Sequence, residues 1–130
     1  MNIDMRTRFE DLLVWQRARA FCGAVLPVVR TARAAHDFEL SQELNGSSIS
    51  IMSNIAEGHT GRRRRQFAYF LDIAGGSNGE ARSCLYLGLD RQYVTPRHFE
   101  SLKRDSEEIA RMLDSLAGTV RRQNDSDFDS

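Results

Sequence analysis

The chain has 130 residues, 41% hydrophobic and 28% charged, and its 18 basic and 18 acidic side chains cancel to a formal charge of zero. That size suits one domain with a single continuous core, and the composition excludes a disordered chain. A protein built mainly to grip phosphate backbones usually shows a net basic domain, so the overall balance speaks against that class. The charge is nevertheless segregated. Residues 36–58 hold four acids and no Lys or Arg, residues 59–66 hold four arginines and no acid, and the last eight hold Asp125, Asp127 and Asp129 with no base.

No apolar run approaches the ~20 residues a membrane-spanning helix needs. None follows the charged start of the chain as a signal peptide would require, so a cytoplasmic location and no membrane partner are the expectation. Cys22 and Cys84 are isolated and lack metal-site spacing. They read as small packed residues, and the rival reading, a disulfide, is unfavourable in a reducing compartment.

The first predicted helix covers residues 10–34. Val14, Ala18, Phe21, Val25, Val28 and Ala32 make one apolar stripe, with Leu12, Trp15, Cys22, Leu26 and Val29 beside it. Pro27 removes a backbone donor and predicts a kink. The second helix covers 41–58, with Ser41 as its N-cap and Gly58 as its stop. Leu44, Ile51 and Ile55 mark its core side, and Gly46 inside it costs up to ~1 kcal/mol against alanine. The third covers 61–91, where Phe67, Phe70, Ala74, Ser77, Ala81, Cys84 and Gly88 form a stripe that is bulky at first and then small. The fourth covers 96–122. Thr95 caps it, Pro96 occupies its first turn, and Phe99, Leu102, Ile109, Leu113, Leu116 and Val120 recur in steps of three and four, broken only by Ser106. Short connections between long helices imply antiparallel neighbours. The expected fold is therefore all-α, one antiparallel up-down-up-down four-helix bundle over residues 1–130, with a frayed acidic tail at 123–130.

Three ordered stretches carry a resemblance. Phe9, Leu12, Val14, Trp15, Gln16 and Ala18 match F-x-x-L-x-V-W-Q-x-A; Ser50 to Gly58 matches S-I-x-x-N-I-A-E-G; Ala74, Gly76, Ser77 and Glu80 match A-x-G-S-x-x-E. Together they resemble a bacterial four-helix-bundle family encoded in intervening sequences of large-subunit ribosomal RNA genes. The resemblance implies a cyclic homo-oligomer, a barrel-shaped pentamer, and brings no catalytic activity with it. It also implies kinship with the accessory protein of diversity-generating retroelements, a basic pentamer that binds nucleic acid and a reverse transcriptase. Two departures count against carrying that binding over. Relatives often read Q-L-R-R-A where this chain has Glu43-Leu44-Asn45-Gly46-Ser47, and the usual leucine after G-S is Asn78.

Four groups of residues are candidates for function. Arg62, Arg63, Arg64 and Arg65 fall in the predicted first turn of the third helix, where the macrodipole opposes cations and favours an anionic partner such as a phosphate. Arg17, Arg19 or Arg82 could support them. A solvated arginine face, partly paired with Asp37, Glu39 or Glu43, is the favoured reading. Asn54 and Glu57 share a helix face, as do Ser77 and Glu80, and the two pairs are expected to form a polar network between the second and third helices rather than an acid–base site. His36, His59 and His98 fall in three separate connections or caps and read as surface residues, so neither a metal nor a cofactor is expected. The glycines at 75, 76 and 79 lie in a helical pattern, where close helix packing, within or between subunits, explains them better than a phosphate loop. Finally, Phe9, Leu12, Leu13 and Trp15 give the first helix more apolar surface than a monomer core consumes, so they are expected to be subunit contacts.

The resulting expectation is a non-enzymatic homo-oligomeric assembly or scaffold protein whose first partner is another copy of itself. The alternative is a nucleic-acid-binding accessory protein using Arg62–Arg65 on RNA or DNA, and a further protein partner stays open. A hydrolase built on Glu57 and Glu80 is the least favoured class.

Overall fold

The computed structural model describes residues 3–123, and the acidic segment expected to fray lies almost wholly outside them. A short 3-10 turn, Phe9–Asp11, leads into four helices: α1 Leu13–Ala34, α2 Phe38–Thr60, α3 Arg64–Asp90 and α4 Pro96–Arg122. No strand occurs among the described residues, and no helix is long and apolar enough to cross a membrane. Contacts between neighbouring helices fix their directions. Ser41 Oγ donates to the Val29 carbonyl while Cys22 Sγ reaches that of Ser48. Ser50 meets Ser77, and Gly58 lies against Phe70. Asn78 bonds to Ser106, and Arg121 pairs with Asp72. In every pair one number rises as the other falls, so successive helices are antiparallel.

The core is the set of apolar positions expected from the periodicity. Val14, Ala18, Phe21 and Val25 of α1 pack with Leu44, Ile51 and Ile55 of α2, Phe67, Leu71 and Leu85 of α3, and Leu102, Ile109 and Leu113 of α4. The fourth helix has the bounds its sequence announces, because Thr95 Oγ1 accepts from the His98 amide and Pro96 occupies the first turn. Cys84 is buried and Cys22 half-buried, both as free thiols.

Several boundaries differ from expectation. The helix α1 begins at Leu13 because the chain before it is drawn into the 3-10 turn and an extended Leu12; it then runs on through Pro27 to Ala34. Asp37, not Ser41, caps α2: its carboxylate accepts from the Leu40 amide, while Ser41 is buried inside the helix. Arg91 and Tyr93 also donate to Asp37, so tertiary contacts select this cap. Gly58 does not end α2, which continues to Thr60. It is glycine because a Cβ there would lie 2.5 Å from the Phe70 Cβ. The reversal occurs instead at Arg62, held at φ 60°, so α3 starts at Arg64. Of the two packing explanations for the glycines at 75, 76 and 79, the one within the chain falls, because a Cβ at any of them would meet nothing within 4 Å.

Candidate functional site

The arginine run is not one surface. Arg62 and Arg63 form the turn between α2 and α3, with Arg63 extended at the N-cap of α3, and both are exposed together with Arg65. Arg64 points the other way and is buried, its Nη2 donating to the Ile3 carbonyl at 3.3 Å under the N-terminal segment. The turn at Arg62 sets Arg64 alone of the four inward, which a reading of them as one solvated face misses. The proposed acidic partners lie elsewhere: Asp37, Glu39 and Glu43 belong to the start of α2, whose 23 residues place that end about 35 Å from the turn. Tyr69 stands one helical turn beyond Arg65 and is 61% exposed, leaving an aromatic ring on the same helix face as that guanidinium group.

His59 corrects the surface reading of the histidines. It is buried at the end of α2, edge-on to Phe67 with ring centroids 5.5 Å apart, and its Nε2 lies 3.4 Å from Thr7 Oγ1. Burial, and then the charge of Arg62, lower its pKa below the usual 6.5. His36 and His98 are remote from it, and no group of three or more metal-ligating side chains exists among the described residues.

The expected polar network between α2 and α3 forms only in part. Ser50 Oγ and Ser77 Oγ are 2.8 Å apart, and Asn54 Nδ2 donates to the Ser50 hydroxyl and carbonyl at 2.9 and 2.8 Å. Ser50 is thus the missed bridge, although it opens the S-I-x-x-N-I-A-E-G motif. Glu57 is exposed at the end of α2 and does not join them. Glu80 lies one stripe further out and meets Glu43 instead; the hydrogen bond and charge of Glu43 raise its pKa above the ordinary 4.5. The charges of Glu43 and Glu80 also act, after burial, to raise the pKa of the Cys84 thiol.

A second polar cluster is fully internal. Asn78 is completely buried; its Nδ2 donates to the Ser106 carbonyl at 2.9 Å, and Ser106 Oγ donates back to Asn78 Oδ1 at 2.9 Å. Arg82 Nε donates to the same hydroxyl at 2.9 Å. The one break in the α4 seam and the one polar residue in place of the expected leucine of α3 are therefore each other's partners.

The expected subunit contacts divide. Leu12 is buried in the chain's own core, and Phe9 and Trp15 pack edge-to-face on each other at 5.1 Å with Arg19 over the indole. Only Leu13 stands out, 55% exposed at the mouth of an apolar groove of about 520 Å³ between α1 and α4, lined also by Met112 and Leu116. Phe38, Ile49, Tyr86 and Leu87 are further large apolar side chains left on the surface.

The family model described as 23S rRNA-intervening sequence protein matches residues 10–115. No curated protein matches. Among solved structures, the chain is similar to a protein with unknown function from the S23 ribosomal protein family of Bacteroides thetaiotaomicron. The TM-score is 0.75 at 26% identity, covering 81% of this chain and 98% of that one.

Proposed function

We propose that this chain, which belongs to the 23S rRNA-intervening sequence protein family, is a non-enzymatic protein that assembles with copies of itself into a ring, a pentamer, and serves as a scaffold. The observation that carries this reading is the set of large apolar side chains left outside the core: Phe38, Ile49 and Leu87 are each more than 40% exposed. Burying them between subunits would remove apolar surface from water without changing the fold of one bundle. Light scattering coupled to size exclusion tests the assembly. A mass near five times 14.8 kDa, held from low to high salt, is the expected result. A monomer at every concentration would reject it.

One observation favours a second reading. Arg62, Arg63 and Arg65 are exposed at the start of α3 and Tyr69 follows one turn after Arg65, a combination of guanidinium groups and an exposed aromatic ring that suits single-stranded nucleic acid. A gel-shift titration with single-stranded RNA separates the two. Binding that weakens with salt and is lost in Arg62→Gln/Arg63→Gln/Arg65→Gln supports it; absence of binding at low salt removes it.

A further inference from the structure

The two sides of the bundle that share α2 carry opposite charge. Every charged side chain of α1 is an arginine, Arg17, Arg19, Arg30 and Arg33, whereas α2 holds Glu39, Glu43 and Glu57 and no Lys or Arg. Helical periodicity sets Arg19 and Arg30 on the outer edge of the α1 stripe that carries Trp15, Cys22 and Leu26, and Cys22 bonds to Ser48 of α2. The same periodicity sets Phe38 and Ile49 on the matching outer edge of α2. The α1–α2 side is therefore basic and carries exposed apolar groups. On the other side of α2, Glu39, Glu43 and Glu57 share an edge, and Glu80 of α3 joins them through its contact with Glu43. Leu87 lies on the same outer stripe of α3 as Glu80, with Gly76 offering open space beside it. The α2–α3 side is therefore acidic, with one large apolar group and a flat stretch. Among the described residues no ion pair within the chain engages Arg30, Arg33, Glu39 or Glu43.

We propose that the α1–α2 side of one copy docks on the α2–α3 side of the next, with Arg30 and Arg33 set against Glu39, Glu43 and Glu80. The proposal rests on the assembly reading above and says which surfaces make the contact.

Height along the bundle supports the pairing. Ser41 bonds to the Val29 carbonyl, so in antiparallel helices Arg30 of α1 stands level with Leu40, between Glu39 and Glu43 of α2, and Arg33 stands level with Asp37. Glu80 meets Glu43, which brings Leu87 of α3 near the level of Phe38. Ser50 meets Ser77, which brings Gly76 level with Ile51, about half a helical turn from Ile49. Rotation about an axis along the bundle preserves height, so cation meets anion, Phe38 meets Leu87, and Ile49 meets the open glycine surface. The two sides differ, so the contact is head-to-tail and continues from copy to copy. They meet at a corner of the bundle instead of lying back to back, so each step turns the next copy, the condition under which a head-to-tail contact can close into a ring. A two-fold contact would instead set each basic side against another basic side.

The test uses the full chain and reads mass by light scattering across a dilution series, with far-UV circular dichroism to confirm helix content. Arg30→Glu/Arg33→Glu is expected to weaken assembly roughly tenfold or more, as is Glu43→Lys/Glu80→Lys. Mixing the two variants, or combining all four changes in one chain, is expected to restore the assembled mass, which a merely structural role for these surface groups would not do. Ile49→Ser should also dissociate the assembly, and Leu13→Ser should leave it intact. Assembly that ignores both charge reversals, a reversal without rescue, dissociation by Leu13→Ser alone, or a closed dimer would each overturn this placement while leaving self-assembly standing. A wild-type chain that is monomeric throughout overturns both.

Discussion

The seam between α3 and α4 and the outer side of α2 and α3 treat polar groups in opposite ways. At the first, Asn78, Ser106 and Arg82 satisfy one another inside the chain, with three hydrogen bonds of 2.9 Å around a completely buried amide. At the second, Glu43 and Glu80 meet on the surface, where the hydrogen bond to Glu43 and then its charge raise the pKa of Glu80. A buried polar group without a partner costs too much to persist, so the first cluster had to be completed within the fold. The second is tolerated because water screens it.

The sharpest way to break the comparison is to remove one member of the internal cluster. Asn78→Ala deletes two hydrogen bonds and opens a cavity in the core, for an expected loss of about 2–4 kcal/mol in urea denaturation. Asn78→Leu together with Ser106→Ala replaces both partners by apolar groups and should recover most of that loss, since the penalty lies in stranding one partner. A single variant costing under about 0.5 kcal/mol would mean that the cluster is no more constrained than the surface side.

The two members of that cluster were each legible in the sequence and their pairing was not. Ser106 interrupts the α4 stripe and Asn78 stands where a leucine is usual, but joining them needs the register between two helices, which no local pattern contains. Elements with strong local signals came through intact: α4 has its expected bounds because Thr95 and Pro96 fix its start without help from the rest of the chain. For the start of α2 the local pattern pointed to Ser41, and the cap is instead Asp37, four residues earlier, which Arg91 and Tyr93, more than fifty positions away, also bind. The arginine run was legible as a cluster of charge, but the φ of 60° at Arg62 that turns Arg64 into the interior was not. Leu12 and Leu13 differ in the same way: adjacent leucines, one buried and one half exposed, divided by a helix start that the apolar pattern places three residues too early.

Glycines sharpen the contrast on α2 and α3 themselves. Gly58 closes the packing between the helices, and a methyl group there would press on Phe70. Gly58→Ala should therefore destabilise the chain by about 1–3 kcal/mol through forced displacement of α3. Gly76 points into open space, so Gly76→Ala should stabilise the single chain by up to about 1 kcal/mol through helix propensity alone. If the outward face is a docking surface, the same change that raises the midpoint in urea lowers the assembled mass on dilution. A gain in stability with no loss of assembly would make Gly76 neutral to the contact.

The smallest effect is the most direct on the surface pair. A folded-state pKa for Glu80 above its ordinary 4.5 means that the native chain holds the proton longer than the unfolded one. Its contribution to stability is then complete below the ordinary value and declines as pH rises through the raised one. Glu80→Gln removes that decline. In a monomeric background such as Arg30→Glu/Arg33→Glu, the substitution should add about 0.2–0.5 kcal/mol at neutral pH and nothing near pH 4, because screening limits an exposed like-charge pair to that scale. In the assembled wild type the sign should reverse, since Glu80 would then face a neighbour's arginine and its loss removes an attraction instead of a repulsion. The same residue, measured in both states by urea denaturation and by dilution, separates a repulsion that the fold merely tolerates from half of a contact that a second copy completes.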